Sequence, residues 1–122
     1  MTNLFRDQEK FMRACDQKTD AYAISQYKMY LNLIEEEHAE LKQAVATDNM
    51  TEQLDALIDI LVVTIGAIHS AGFNGEGAWK EVMSTNFAKI DRETGRVRKR
   101  EDGKVLKPVG WKAPELSSFL KK

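Results

Sequence analysis

Glu36, Glu37 and Glu40 stand at positions i, i+1 and i+4 within Leu33-Ile34-Glu35-Glu36-Glu37-His38-Ala39-Glu40-Leu41. A helix turns about 100° per residue, so with Glu36 at zero, Glu37 lies at about 100° and Glu40 at about 40°. Met29, Leu33 and Ala44 fall at about 20°, 60° and 80° on the same wheel. The three carboxylates therefore share a face with apolar residues, whereas solvated glutamates belong on the opposite side. Glu35 is the one that points away, at about −100°. Clustered carboxylates repel one another, and an uncompensated buried one is costly. Something positive must sit among them: lysine, arginine or a divalent ion. Mg²⁺ and Mn²⁺ prefer oxygen ligands and suit such a set. The plainer alternative is an acidic stripe facing solvent.

A second acidic pair lies further along. Between Leu54 and Ile68 the chain is apolar nearly all round, which marks a buried helix. Its exceptions are Asp55 and Asp59, one turn apart, with Glu52 a turn earlier. With Asp59 at zero, Asp55 lies near about −40° and Glu52 near about 20°. Val62, Val63 and Gly66 continue this face, and Leu54, Leu57, Leu61 and Ile68 occupy the other side. Aspartate inside Leu57-Ile58-Asp59-Ile60-Leu61-Val62-Val63 is seldom surface decoration. If a short loop makes the two helices antiparallel neighbours, their acidic faces meet and can hold metal between them.

The elements needed to position these groups can be read off the chain. A first helix is expected over residues 3–18, with Leu4, Phe5, Phe11, Met12 and Cys15 on its apolar side. A second, capped by Asp20, runs to about Thr47. Asp48-Asn49 makes the turn, and Asn49 or Thr51 caps a third helix that ends at Gly72. A fourth covers about residues 78–91. Beyond Gly95, two basic segments, residues 96–100 and 104–107, flank Glu101-Asp102-Gly103 as a hairpin turn. Trp111 and Leu116 are the expected anchors of an irregular end. The fold class is all-α: a four-helix bundle with a helical core over about residues 3–91 and a short β-hairpin-like basic extension over 92–122. A chain of 122 residues suits one domain.

Charge is nearly balanced overall at −1, so it predicts no partner by itself. It is unevenly placed. Residues 1–88 hold 14 of the 19 acidic groups and 7 of the 18 basic ones, and residues 89–122 hold the remaining 5 and 11. An acidic body with a basic end suits an anionic ligand bound over metal, although a solvated basic tail has the same composition. Cys15 is the single cysteine, which points to a reducing compartment and, with no signal-peptide core, to a cytoplasmic location. The longest apolar run, residues 60–68, is too short for a bilayer, so no membrane partner is expected.

These residues resemble the all-α NTP pyrophosphohydrolases: the MazG-like group, with dimeric dUTPases and phosphoribosyl-ATP pyrophosphohydrolases as relatives. Leu33 to Leu41 is similar to that group's Leu-Ile-x-Glu-Glu-x-x-Glu-Leu element, and Asp55 to Val63 to its Asp-centred apolar element. Ser84-Thr85-Asn86-Phe87-Ala88-Lys89 looks like its Ser-x-Asn-x-x-Lys signature. Residues 100–108 resemble the closing segment of its phage and bacterial branch. The resemblance spans roughly residues 25–116. It implies Mg²⁺, or Mn²⁺ in its place, and hydrolysis of a (d)NTP to a (d)NMP and pyrophosphate in housecleaning of the nucleotide pool. Glu36, Glu37, Glu40 and Asp59 match the group's metal-binding positions. Where much of the group has glutamate three residues before the aspartate, this chain has Ala56, and Asp55 is the substitute.

Metal would bridge these acids to a triphosphate, and Glu37 is the first choice to orient or deprotonate the attacking water. Asn86 shares a face with Trp79, Met83 and Ile90 and needs a polar partner. Lys89 follows one turn later as a point charge for phosphate. Arg98 and Lys104 head the basic residues that could close over the phosphates. The plain readings are a backbone-bonded amide for Asn86, a snorkelling lysine for Lys89, and packing residues for Trp79, Trp111 and Tyr30. His38 is expected to be exposed and His69 to be a core or capping residue. A third helix apolar on so many sides suggests a homodimer or homotetramer, with helices three and four at the interface. Three competing readings remain: a family member that binds nucleotides with little turnover, a di-iron bundle built on Glu-x-x-His pairs, and a nucleic-acid module using the basic tail. The last leaves Asp55 and Asp59 unexplained.

Overall fold

A computed structural model describes all of residues 1–122. The chain forms four helices and no strand: α1 (Leu4–Ala14), α2 (Ile24–Ala46), α3 (Met50–Ser70) and α4 (Gly75–Phe87), with one 3₁₀ turn at Ser117–Phe119. It divides into two compact units. The first is Met1–Gly75 together with Leu120–Lys122, and the second is Glu76–Phe119.

In the first unit the helix ends follow local chemistry. Asn3 and Asn49 cap α1 and α3, each side chain accepting an N–H three residues on, from Arg6 and Glu52, at 3.0 Å. Such a cap is worth about 1 kcal/mol. Three helices close with the same pair of bonds, in which the sixth residue's N–H reaches back to the first carbonyl and the fifth to the second. Gln17→Met12 with Asp16→Arg13 ends α1, Asn49→Ala44 with Asp48→Val45 ends α2, and Phe73→Ile68 with Gly72→His69 ends α3. This geometry puts the pivot residue in the left-handed region, and Asp16, Asp48 and Gly72 have φ of 59°, 55° and 76°.

Two boundaries in this unit differ from expectation. α1 stops at Ala14 rather than near residue 18, because Asp16 takes the left-handed turn. α2 starts at Ile24, behind Ala23 and with no side-chain cap, so Asp20 does not cap it. The intervening segment is tied elsewhere. Gln26 bonds the N–H and carbonyl of Lys18 and the Ser70 hydroxyl, and the Ala23 N–H donates to Ser70 O at 2.8 Å. These bonds tie the segment ahead of α2 to the end of α3.

α2 and α3 form the most extensive helix pair, and α1 packs on α3. The core comprises Met12, Tyr30, Val63 and Ala67, with Tyr27, Leu33 and Ile34 packed around it. Gly66 is the close-approach point. A Cβ there would lie 2.3 Å from Tyr30 Cε1. The neighbour that Gly66 admits is therefore the Tyr30 ring, whose hydroxyl donates to Gln17 Oε1 at 2.5 Å.

By length and composition alone α3, at 21 residues, could cross a membrane. Counting only the unbroken run 60–68 understated it. Asp55 and Asp59 on the helix, and the burial of Val63, Gly66 and Ala67 against α2, make it the core helix of this unit instead. Its far side stays open: Leu54, Leu57, Ile58 and Leu61 are 62%, 49%, 49% and 48% exposed.

α4 starts at Gly75, ahead of the expected residue 78, and ends at Phe87, short of the expected residue 91; residues 88 and 89 form a turn, so Lys89 lies just past the helix. The expected hairpin is reduced to two isolated antiparallel bridges, Ile90 with Val97 and Lys99 with Val105. Gly103 N–H donates to Arg100 O at 2.9 Å at its turn.

Candidate functional site

Three residues, 47–49, link α2 to α3, which makes the two antiparallel neighbours. Asp48 is the pivot, and pairing across the hairpin mirrors about it. Tyr30 and Gly66, equally far from Asp48 along the chain, touch, and nearer the turn Gln53 Nε2 donates to Ala44 O at 3.4 Å. Glu37 and Asp59 are likewise equidistant from Asp48. The register therefore sets the two acidic faces against each other.

The carboxyl groups feel this arrangement. Glu37 Oε2 is sealed from solvent and has no hydrogen-bond partner, although the residue as a whole is only half-buried. Glu37 is raised above the usual carboxylate range, first by burial, then by the neighbouring Glu40 carboxyl, then by the charges of Asp59 and Asp55. Two residues from each helix thus act on one another. An orphaned oxygen among three further acids is an acceptor set lacking a positive partner, and a divalent ion with oxygen preference fits that chemistry. The side chains do not close into a cage, since no three acidic, histidine or cysteine groups converge as a ready ligand set. Like charges do not draw together by themselves.

Glu36, Glu40 and Asp55 are all exposed, and of the three only Glu36 is not among the charges acting on Glu37. Ala56 is 3% exposed and part of the core, so the position next to Asp55 is committed to packing. Asp55 supplies the charge on this helix turn instead. His38 is exposed. His69 is buried; its Nε2–H donates to Phe5 O at 2.7 Å, and Nδ1 accepts from Lys122 Nζ at 2.9 Å. Lys122 Nζ also bonds Thr19 O and lies 3.8 Å from Glu9 Oε2. Neither histidine joins the acidic group, which removes the Glu-x-x-His pairs that a di-iron centre needs.

The other candidate residues belong to the second unit. Asn86 and Lys89 are partly buried and bonded to each other, Nζ donating to Oδ1 at 3.2 Å, while the Asn86 amide points at Met83 Sδ, 3.7 Å away. Arg98 and Lys104 are exposed on the basic turn. There Arg100 pairs with Asp102 at 2.6 Å and holds that carboxyl below its usual range. The sequence places Trp111 among packing residues and Lys107 among the basic residues that could close over the phosphates. In the structure both Lys89 and Lys107 sit over the Trp111 ring. No periodicity signals that cluster, because its members lie on irregular chain.

A family model described as phosphoribosyl-ATP pyrophosphohydrolase matches residues 5–86. The matched span contains all five candidate acids and Asn86, and it ends before Lys89, Arg98 and Lys104. Comparison with curated proteins gives no match.

Proposed function

Because the chain belongs to the phosphoribosyl-ATP pyrophosphohydrolase family, hydrolases of the MazG-like all-α superfamily that act on a nucleotide substrate, we propose that it cleaves a (d)NTP between the α- and β-phosphates. The products are a (d)NMP and pyrophosphate, and the reaction depends on Mg²⁺, with Mn²⁺ as a substitute. The observation that carries this reading is the Glu37 carboxyl, orphaned and raised among Glu40, Asp55 and Asp59.

Glu37, Glu40, Asp55 and Asp59 are the residues that would hold the ion, with Glu36 proposed as a fifth on its match to the family's metal-binding positions. A divalent ion bound there neutralises phosphate oxygens and the leaving pyrophosphate. Glu37 orients the attacking water and takes its proton as the water oxygen bonds to the α-phosphorus. The bond from that phosphorus to the α–β bridging oxygen breaks, and its electron pair leaves with pyrophosphate. In the second unit, Asn86 and Lys89 are the proposed phosphate ligands, with Arg98 and Lys104 contributing charge.

We further propose a homodimer or homotetramer. The Leu54, Leu57, Ile58 and Leu61 side of α3 is an apolar stripe of the kind a second copy covers.

The test is a panel of canonical and modified NTPs and dNTPs, with phosphoribosyl-ATP included, assayed with Mg²⁺ or Mn²⁺. Pyrophosphate and orthophosphate are quantified separately. Pyrophosphate as the first product supports the reading, and orthophosphate as the first product overturns it. Preference for phosphoribosyl-ATP over every free triphosphate would replace the substrate class and keep the reaction.

A further inference from the structure

His69, near the end of α3, is 3% exposed, and both of its ring nitrogens are engaged. Its partners fix the tautomer. The Phe5 carbonyl, 2.7 Å from Nε2, can only accept, so Nε2 carries the proton. The Lys122 ammonium, 2.9 Å from Nδ1, can only donate, so Nδ1 is bare. The same ammonium donates to Thr19 O and lies 3.8 Å from Glu9 Oε2. Each wall of this socket is held from behind. Phe5 belongs to α1 and sets its ring edge-on to the imidazole at 6.3 Å. Thr19 is 3% exposed and follows Lys18, whose N–H and carbonyl are both bonded to Gln26. Glu9 gives its other oxygen to Arg13 at 2.7 Å. Leu120 and Lys121 are exposed, which leaves the Lys122 ammonium as the anchor of its segment.

The socket holds an ammonium only while Nδ1 keeps its lone pair. A second proton on the imidazole goes to Nδ1, since Nε2 already carries one. It replaces the acceptor with a donor and sets one cation 2.9 Å from another. Of the charged groups that meet this pair, Glu9 and Arg13 come from α1, and the segment ahead of α2 contributes the uncharged Thr19 carbonyl. Glu9 is too far from Nζ for a hydrogen bond and is committed to Arg13, so it does not hold Lys122 by itself. The chain leaves the first unit after Gly75 and rejoins it at Leu120. With Lys122 seated, the second unit is tethered at both ends; with Lys122 expelled, it is tethered at one.

We propose that His69 and Lys122 form a pH-operated latch: neutral His69 seats Lys122 and ties residues 120–122 to α1 and α3, and protonation of His69 expels Lys122 and frees that end of the second unit. The sign follows from the bond. The latch is closed where the imidazole is neutral and opens as pH falls through its titration, which for imidazole lies within about pH 5–8. The latch rests on contacts of the first unit and stands whatever reaction the acidic residues serve.

The test is NMR of the full chain titrated from about pH 8 to about pH 5, reading the His69 ring and the backbone order parameters of residues 120–122. At the alkaline end the ring is expected as the single Nε2–H tautomer, with order parameters of about 0.85 for the segment. These should fall below about 0.6 with the same midpoint as protonation of the ring, while the amides of α2 and α3 keep theirs. Lys122→Met keeps the stem without the charge. It should leave residues 120–122 below about 0.6 throughout and shift the His69 midpoint upward, because the neighbouring cation is gone. A packing role alone would not move that midpoint. His69→Gln offers Lys122 an oxygen and Phe5 an N–H with nothing to titrate, so the segment should stay at about 0.85 down to about pH 5. Because replacing a buried ring could disturb the fold, Lys122→Met decides. Residues 120–122 that stay rigid in Lys122→Met, or a His69 midpoint unmoved by that change, overturn the latch. So does a wild-type segment that is mobile while His69 is neutral, or rigid once it is protonated. A folded His69→Gln chain that still releases the segment on acidification overturns it as well.

Discussion

Glu37 is where the sequence and the fold put the most stress on a single side chain. Its raised carboxyl has a definite sign for stability. A folded-state value above the unfolded one means that the folded chain holds the proton more tightly. The stabilising contribution is complete below the unfolded carboxylate range and is lost as pH rises through the raised folded value. Glu37→Gln, which cannot ionise, is therefore expected to flatten the decline in Tm as pH rises from the acidic side of that range toward neutrality, in melts recorded with EDTA. Equal slopes in the two proteins would show that Glu37 titrates like a free glutamate. Mg²⁺ at neutral pH is expected to stabilise the wild type by an amount set by its affinity, about 2.7 kcal/mol at 100 times Kd, and so to raise its Tm. In Glu37→Gln that gain should shrink. That these four acids lie on facing sides of α2 and α3 could be read from helical spacing and the short loop between the helices. The separation of Glu36 from Glu37 could not, because position on a wheel does not tell which member of a wide face meets the partner helix.

At the scale of helices, the α2–α3 pair sets the site through one contact. Gly66→Ala would drive a methyl to 2.3 Å from Tyr30 Cε1, and the ring is pinned by its hydroxyl on Gln17. Overpacking of this kind costs about 1–3 kcal/mol. Denaturant unfolding is expected to show a loss in that range or above it, together with weaker Mg²⁺ stabilisation as Asp59 is pushed from Glu37. A loss below about 0.5 kcal/mol, the scale of ordinary surface substitutions, would mean that Tyr30 moves freely and does not fix the spacing. The existence of four helices, the Asn49 cap and the Gly72 stop could be read from local chemistry. The start of α2 could not. Asp20 is a sound cap by type, but Gln26 and Ser70, distant partners in the chain, claim the backbone ahead of Ile24. The end of α1 failed for a related reason: an aspartate, not a glycine, takes the left-handed turn at residue 16.

For the whole molecule, the apolar side of α3 and the acids on its other side make opposite demands, and both are met if a second copy covers Leu54, Leu57, Ile58 and Leu61. Leu57→Glu with Leu61→Glu is expected to shift the protein to a monomer in size-exclusion chromatography with light scattering, since like charges facing a symmetric partner repel across the interface. An unchanged mass would place the interface elsewhere. Residues 5–86 fall within the family match, so helices and carboxylates carry the recognisable chemistry. The basic segment outside it revealed its organisation around Trp111 only in three dimensions. The central claim is that the acids of α2 and α3 serve divalent-metal-dependent cleavage at the α-phosphorus. It is tested most directly by ³¹P NMR of a nucleoside triphosphate turned over by the wild type and by Asp59→Asn. With Mg²⁺ the wild type should give monophosphate and pyrophosphate resonances together from the first time point, with none in EDTA, and Asp59→Asn should lose at least about a hundredfold in rate, as for removal of a group that stabilises transition-state charge. A diphosphate with orthophosphate, or wild-type turnover by Asp59→Asn, would contradict it.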